Sequence, residues 1–469
     1  MTATSPQTAT KNRWLIAASA VGVHASIGSV YAFSVFKKPL SKLLEGVSDN
    51  EIAWTFSFAI FFLGISAAIM GHFVEKHGPR KSGMLAASFF GGGLLVAGLG
   101  AMLENLYIIW LGYGVLGGIG LGIGYITPVS TLVKWFPDRR GLATGLAIMG
   151  FGFGAFFGGP LFQKLMTSFG LSFYGAADLA QAVAVPAIAA KVSGITDPVA
   201  INQAVAAIVA AKGIYANWFI MGIVYLVVMF ASASYLERPP EGWMPEGMKD
   251  AIASGKKKKV EDLTQLTANE AVKTAPFYGL WIMMFINISC GIAVIYSASP
   301  LAQESIGLTA GEAAAVVGLM SLFNGLGRIG WASMSDVLGR SNTYMTFFIV
   351  QIVAFALLPN ITSVIMFQVV LYLILTCYGG GFATLPAFIG DLFGTKQLGA
   401  IHGYVLTAWA AAGLAGPQLA AYVRTVSGSY ESTLYIFAGV FIVALGVSLV
   451  MKAYVNRARG ALEAAAAAS

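Results

Sequence analysis

The stretch EAAAVVGLMSLFNGLGRIGWASMSDVLGR, Glu312 to Arg340, decides how this chain folds. Residues 312–335 form a run of apolar and small side chains, and a charged turn follows. A helix of about 24 residues at ~1.5 Å each is ~36 Å long, enough to cross a hydrocarbon core of ~30 Å. Arg328 sits inside that run, and its nearest acid in sequence is Asp336. A guanidinium at such depth costs roughly 2.5–3.5 kcal/mol on insertion scales, so it needs a partner. Asn324 precedes it by four residues and shares its helix face. Gly325 and Gly327 clear space beside the pair for a close approach. One reading has Arg328 snorkelling to the surface or bonding a neighbouring helix; the other makes it an anion site inside a transporter. Its depth favours the second.

The whole chain has the same character. It has 469 residues, 57% hydrophobic and 10% charged, with mean hydropathy +0.76. A soluble domain carries about 25% charge, so the composition implies a polytopic all-α membrane protein in the lipid bilayer. The 56 glycines suit helices that pack backbone to backbone. The net charge of +7 resides in loops, which speaks for topology and against a nucleic-acid partner. Cys290 and Cys377 fall inside apolar runs and are poor disulfide candidates. The first apolar run is long and lacks a signal-peptide cleavage pattern, so it reads as a retained helix.

Twelve spans are expected, near 13–36, 52–74, 81–102, 107–130, 140–163 and 216–236, then 277–299, 312–335, 342–359, 364–390, 398–423 and 432–455. They divide into an N-terminal six-helix bundle (1–236), a polar linker (237–275), a C-terminal six-helix bundle (276–458) and a low-complexity tail (459–469). Lys11, Arg13, Lys76, Arg80, Lys81, Lys134, Arg139 and Arg140 fall on one side; Lys37, Lys38 and Lys42 fall on the other. By the positive-inside rule both termini and the linker are cytoplasmic; the expected location is a cell (inner) membrane. The run Lys256 to Lys259 reads as a solvated part of that linker, although such a run can also bind anionic lipid. An outer-face insertion, 171–214, is expected to hold two short Ala-rich helices, with Asp197-Pro198 as cap and first-turn proline and Lys212-Gly213 as its close.

The halves repeat one another. GHFVEKHGPRK (Gly71 to Lys81) and ASMSDVLGR (Ala332 to Arg340) both run acid, Gly, Arg, with Glu75 and Asp336 261 residues apart. Pro128, Gly141 and Gly159-Pro160 recur at Pro386, Gly399 and Gly416-Pro417, 257 or 258 residues later. Duplicated six-helix units are the mark of an alternating-access carrier with its site between the halves. On these motifs the chain resembles the major facilitator superfamily along nearly its whole length, with Glu75 where the family usually has Asp. The resemblance implies two pseudo-symmetric six-helix bundles. It also implies that Glu75, Arg80, Asp336 and Arg340 are gating residues that latch helices together.

Narrower motifs bear on the cargo. KWFPDRRGLATGL (Lys134 to Leu146), with Tyr125 ten residues before Trp135, and SVYAFSVF (Ser29 to Phe36) resemble the oxalate:formate antiporter family. In that family and the related monocarboxylate transporters a span-8 arginine holds the substrate carboxylate, which implies that role for Arg328. Oxalate antiporters carry a lysine in span 11; here HGYVLTAWA (His402 to Ala410) puts Trp409 at that position. Animal monocarboxylate transporters carry an acid four residues before the arginine; here it is Asn324.

Charge counting agrees without the resemblance. Arg328 is the only Lys or Arg placed deep in a span. It neutralises a monoanion, whereas a dianion would leave one charge uncompensated in low dielectric. The repeat puts Ala67 opposite it, so the first half offers no second cation. Tyr31, Tyr125 and Tyr378 are the candidates for hydrogen bonding and shape. With no carboxylate clearly in mid-span, a coupling proton rides on the substrate itself or on a histidine. His24 lies mid-span in the first helix and His402 near the cytoplasmic end of the eleventh; His72 and His77 belong to the loop motif. The pattern Gly112-Tyr-Gly-Val-Leu-Gly117 matches a dinucleotide-binding fingerprint but no strand precedes it, so helix packing explains it. None of the four histidines has metalloprotease spacing. The expectation is a monomeric carrier of small, lactate-like monocarboxylates with a proton, with no catalytic residues, no metal and no cofactor. The rival expectation is an oxalate or formate exchanger. A channel is the other class, told apart because a carrier saturates and shows counterflow.

Overall fold

The computed structural model describes residues 11–248, 254, 262–308 and 310–468. These form twelve long helices in two six-helix halves. The first half comprises α1 (Arg13–Leu43), α2 (49–77), α3 (79–102), α4 (Leu106–Trp135), α5 (Arg140–Tyr174) and α6 (Pro198–Tyr235). The second comprises α7 (Ala275–Ile306), α8 (Ala310–Leu338), α9 (Arg340–Leu357), α10 (Val364–Phe393), α11 (Leu398–Ser427) and α12 (Glu431–Ala468). Helices α2 and α3 run on without a loop and break at Gly78, whose φ is 82°. Gly339, which parts α8 from α9, has φ 83°. Both positions favour glycine, because a Cβ strains the left-handed region. They lie 261 residues apart, as Glu75 and Asp336 do, so the repeat seen in sequence holds in backbone geometry.

Several helices depart from regularity in mid-course. In α1, Ser29–Phe33 tightens into a 3-10 turn. In α4, Trp110–Leu116 is π-helical; it includes most of the Gly-rich pattern, and a Cβ at Gly112 would press on the α3 backbone at Ala97 and Gly93. Helix α11 is interrupted at Leu406, three residues before Trp409. Such breaks mark places where a helix serves something other than its own hydrogen bonding.

The ends of four helices differ from expectation. Helix α5 extends to Tyr174 and α6 begins at Pro198, so about half of the insertion is a prolongation of two spans. Two short helices, Leu179–Val183 and Pro186–Val192, cap them, around a separate apolar cluster of Ala182, Ile188, Val205 and Val209. Asp197 caps α6 through Val199 N and Ala200 N, with Pro198 in the first turn. Helix α7 runs on to Ile306, and α12 continues through the alanine tail to Ala468, as alanine's helix propensity dictates. The lysine run, Lys256 to Lys259, lies outside the described residues. Cys290 and Cys377 are free and buried.

The halves meet along two helix pairs. Helices α5 and α8 approach at Gly145 and Gly152: added Cβ atoms there would sit 2.9 Å from Arg328 O and 2.8 Å from the Gly325 Cα. Helices α2 and α11 approach at Gly64, where a Cβ would lie 2.7 Å from the Ala410 Cβ. Close backbone approach between small residues is how helices adhere without a hydrophobic driving force.

Candidate functional site

Arg328 is fully buried between these pairs. Its Nε donates to Asn324 Oδ1 at 3.3 Å, closing the i, i+4 pair. Nη1 crosses to the other half and donates to Ile148 O on α5 at 3.0 Å. Nη2 has no hydrogen-bond partner. The guanidinium carbon lies 5.4 Å from the Phe151 ring on α5 and 5.6 Å from the Phe382 ring on α10, within range of cation–π attraction. Among the described residues, no carboxylate stands within ion-pair distance of it.

Aromatic side chains enclose the guanidinium. Tyr31 packs on Phe151 at 5.0 Å between ring centroids, Tyr125 on Phe151 at 5.6 Å and on Trp409 at 5.3 Å. Phe382 packs on Trp409 at 4.5 Å and on Tyr378 at 5.3 Å. The Tyr31 hydroxyl faces Tyr378, Arg328 and Trp409 without closing a hydrogen bond to any of them. The hydroxyls of Tyr31, Tyr125 and Tyr378 and the Trp409 indole N–H all lack partners. Buried polar groups are normally satisfied. Here one cationic N–H and four polar tips converge unsatisfied, a donor set suited to a small anion.

The shell behind the cage is tightly bonded. Gln351 Nε2 donates to Asn287 Oδ1 at 3.1 Å, and Asn287 Nδ2 donates to Tyr378 O at 3.2 Å. Tyr344 OH donates to Gly381 O at 2.7 Å. What occupies the space opened by Gly327 is Thr376 of α10, so that glycine serves helix packing.

All six residues expected at the site, Arg328, Asn324, Tyr31, Tyr125, Tyr378 and Trp409, come together. Phe151 and Phe382 join them without having been expected. Phe151 had a signal: it precedes Trp409 by 258 residues, the spacing of Gly141 and Gly399, and the two rings meet at 5.8 Å. Phe382 had none. His24 and His402 flank Tyr125, at 5.2 and 5.8 Å between rings. His402, although in the second turn of α11, is fully buried, because α2 lies against that turn.

The loop motifs join the two halves. Asp336 accepts from Gly141 N at 2.8 Å and Leu142 N at 2.9 Å, at the N-terminus of α5, and pairs with Arg340 at 2.7 Å. Free N–H groups at a helix N-terminus favour a carboxylate. Glu75 makes the corresponding bond to Gly399 N of α11 at 2.8 Å. Its cation is Lys134 at 3.0 Å, with Arg238 nearby, and not Arg80, which is exposed. The turn at Gly78-Pro79 starts α3 and carries Arg80 away. Arg140 bridges the halves, pairing with Asp391 at 2.9 Å and with the linker's Asp262 at 2.6 Å; none of these three belongs to the expected latch. Apart from the central bond from Arg328 to Ile148 O, the polar contacts described between the halves gather at the end that carries both motifs.

Two six-helix halves around a buried cation that has no acid partner among the described residues define the class: a membrane carrier. Comparison with known proteins makes this specific. The sequence profile of the Major Facilitator Superfamily matches residues 15–417 and 280–467, and the chain belongs to that family. It is 28% identical over 422 residues to the oxalate:formate antiporter of Oxalobacter formigenes, covering 89% of this chain and 86% of that one. It is 24% identical over 425 residues to apicoplast pyruvate carrier 1 of Toxoplasma gondii, covering 85% and 74% respectively. Among solved structures, a variant of the E. coli fucose:proton symporter FucP superposes with TM-score 0.67 at 14% identity, covering 94% of this chain and 99% of that one.

Proposed function

We propose that this protein moves small monocarboxylates of the lactate type across a cell inner membrane, together with a proton, by alternating access. The observation that carries this reading is the state of Arg328: buried, without an acid, with Nη2 free inside an aromatic cage. A monoanion neutralises it; a dianion adds an uncompensated charge in a site of low dielectric. Relatives that transport oxalate and formate, or pyruvate, are consistent with carboxylate cargo. Glu75, Asp336, Arg340 and Arg140 act as the latch that opens when the halves rock, Arg80 standing outside it. The motif-bearing end and both termini face the cytoplasm, and the carrier works as a monomer.

The second reading, oxalate or formate exchange, is favoured by the 28% identity to the antiporter. Against it stands Trp409, packed on Phe382 where oxalate antiporters carry a second cation. Uptake of labelled lactate, formate and oxalate into proteoliposomes, with and without an acidic exterior, decides between them. Saturable lactate accumulation driven by the pH gradient is expected. Oxalate exchange without lactate accumulation would establish the antiporter reading instead.

A further inference from the structure

We propose that the coupling proton is carried on a histidine pair, His24 and His402, bridged by Tyr125, and that it loads after an anion has neutralised Arg328. The proposal rests on the carboxylate reading above and assigns the proton carrier which that reading leaves open.

His24 on α1 and His402 on α11 belong to opposite halves, and both are fully buried. Tyr125 of α4 stands between them, its ring 5.2 Å from one imidazole and 5.8 Å from the other. His24 Nδ1 lies 3.3 Å from Ala20 O. His24 Nε2, the Tyr125 hydroxyl and both nitrogens of His402 have no partner. A histidine with a purely structural role has its ring nitrogens satisfied. Here four polar atoms on three adjacent rings are left open, next to the cage and at the junction of the halves.

The surrounding charges fix the order of events. Burial weighs most against charge on either ring; beyond it Arg328, from α8, acts on His24, and His24 in turn on His402. A proton on either ring adds a second cation to one fully buried region, and like charges there repel strongly. A carboxylate on Arg328 removes that repulsion. By linkage the proton tightens the anion by the same factor. The other groups facing the pair are already engaged or uncharged. From α2, His72 meets the Tyr404 hydroxyl at 3.0 Å. Glu75, bonded to Gly399 N one turn before His402, has its charge met by Lys134. From α1 and α10 come the hydroxyls of Tyr31 and Tyr378; from α5, backbone at Gly150, where a Cβ would lie 3.2 Å from the His24 Cβ. The step is a simple protonation. A proton from water bonds to a ring-nitrogen lone pair and gives imidazolium. After the halves rock, it returns to water on the other side as the anion leaves. One monoanion and one proton cross together.

Two measurements test this. The first is the infrared difference spectrum of the wild-type protein on lactate binding, with isotope-labelled histidine. We expect a label-sensitive imidazolium band; the C=O band of a protonated carboxylic acid in its place would overturn the proposal. The second uses proteoliposomes of His24→Gln, His402→Gln and the double variant, reading lactate counterflow and accumulation driven by an acidic exterior. Counterflow is expected to persist but to need a higher lactate concentration, because the proton no longer tightens the anion, while accumulation falls to the level without a pH gradient. Undiminished accumulation by the double variant would place the proton elsewhere. Failure of the wild type to show counterflow with lactate, formate or pyruvate would instead overturn the carboxylate reading on which the proposal stands.

Discussion

Adding one methyl group at Gly379 should weaken substrate binding without touching the substrate. The site where α10 crosses α8 has no room for it. A Cβ at Gly379 would lie 2.6 Å from Asn324 Oδ1, closer still to the Asn324 carbonyl oxygen, and 3.1 Å from Arg328 Cγ. Ordinary contact begins near 3.4 Å, so either α10 retreats by about 1 Å or Asn324 releases Arg328 Nε. Overpacking of this kind costs ~1–3 kcal/mol. If that cost falls on the geometry of the Arg328 fork, affinity drops by about 5- to 150-fold, since ~1.4 kcal/mol is tenfold. Gly318→Ala is the control: it lies on α8, the helix that carries Arg328, and meets nothing within 4 Å. Isothermal titration of lactate into the detergent-purified proteins reads the effect. Wild-type affinity in Gly379→Ala would refute the claim that Asn324 and α10 together hold the guanidinium in place.

Trp409→Lys introduces a second buried cation where the cage meets α11; lactate uptake should fall and oxalate binding should rise, measured by competition in proteoliposomes. No gain for any dicarboxylate would break the charge-counting argument. Asp336→Asn removes the charge that holds Gly141 N and Leu142 N. An asparagine oxygen can still accept one N–H, so losing one charge-assisted bond worth ~1.5–3 kcal/mol should loosen the motif-bearing end, and an Ala143→Cys reporter should label about 10- to 150-fold faster from that side. An unchanged labelling rate would show that the latch is held elsewhere.

How much of this is legible in the sequence depends on the kind of signal. Arg328 and Asn324 can be paired from spacing alone, because four residues on a helix put two side chains on one face. The latch loops can be found because a repeated acid, Gly and Arg leaves a fixed offset, and Gly78 and Gly339 show why the glycine recurs. Arg80 cannot be placed, because the partner of Glu75 depends on the direction in which α3 leaves the turn. Lys134 and Arg238 reach Glu75 from distant points in the chain. Phe151 is readable through the 258-residue offset, but Phe382 is one of 31 phenylalanines, and only the fold selects it. The lengths of α5 and α6 escape the sequence for a related reason. The apolar runs are interrupted at Lys164 and Lys212, whereas these helices continue past both on their own apolar cluster.

The central claim is that one carboxylate docks on the buried guanidinium of Arg328, which has no acid partner among the described residues. Titration of lactate into purified wild-type and Arg328→Lys protein tests it most directly. An ammonium keeps the charge but loses the planar fork that matches a carboxylate. The account predicts at least about a 100-fold loss of affinity, equivalent to ~2.7 kcal/mol, with the protein still folded. Binding of lactate by Arg328→Lys at wild-type affinity would contradict it.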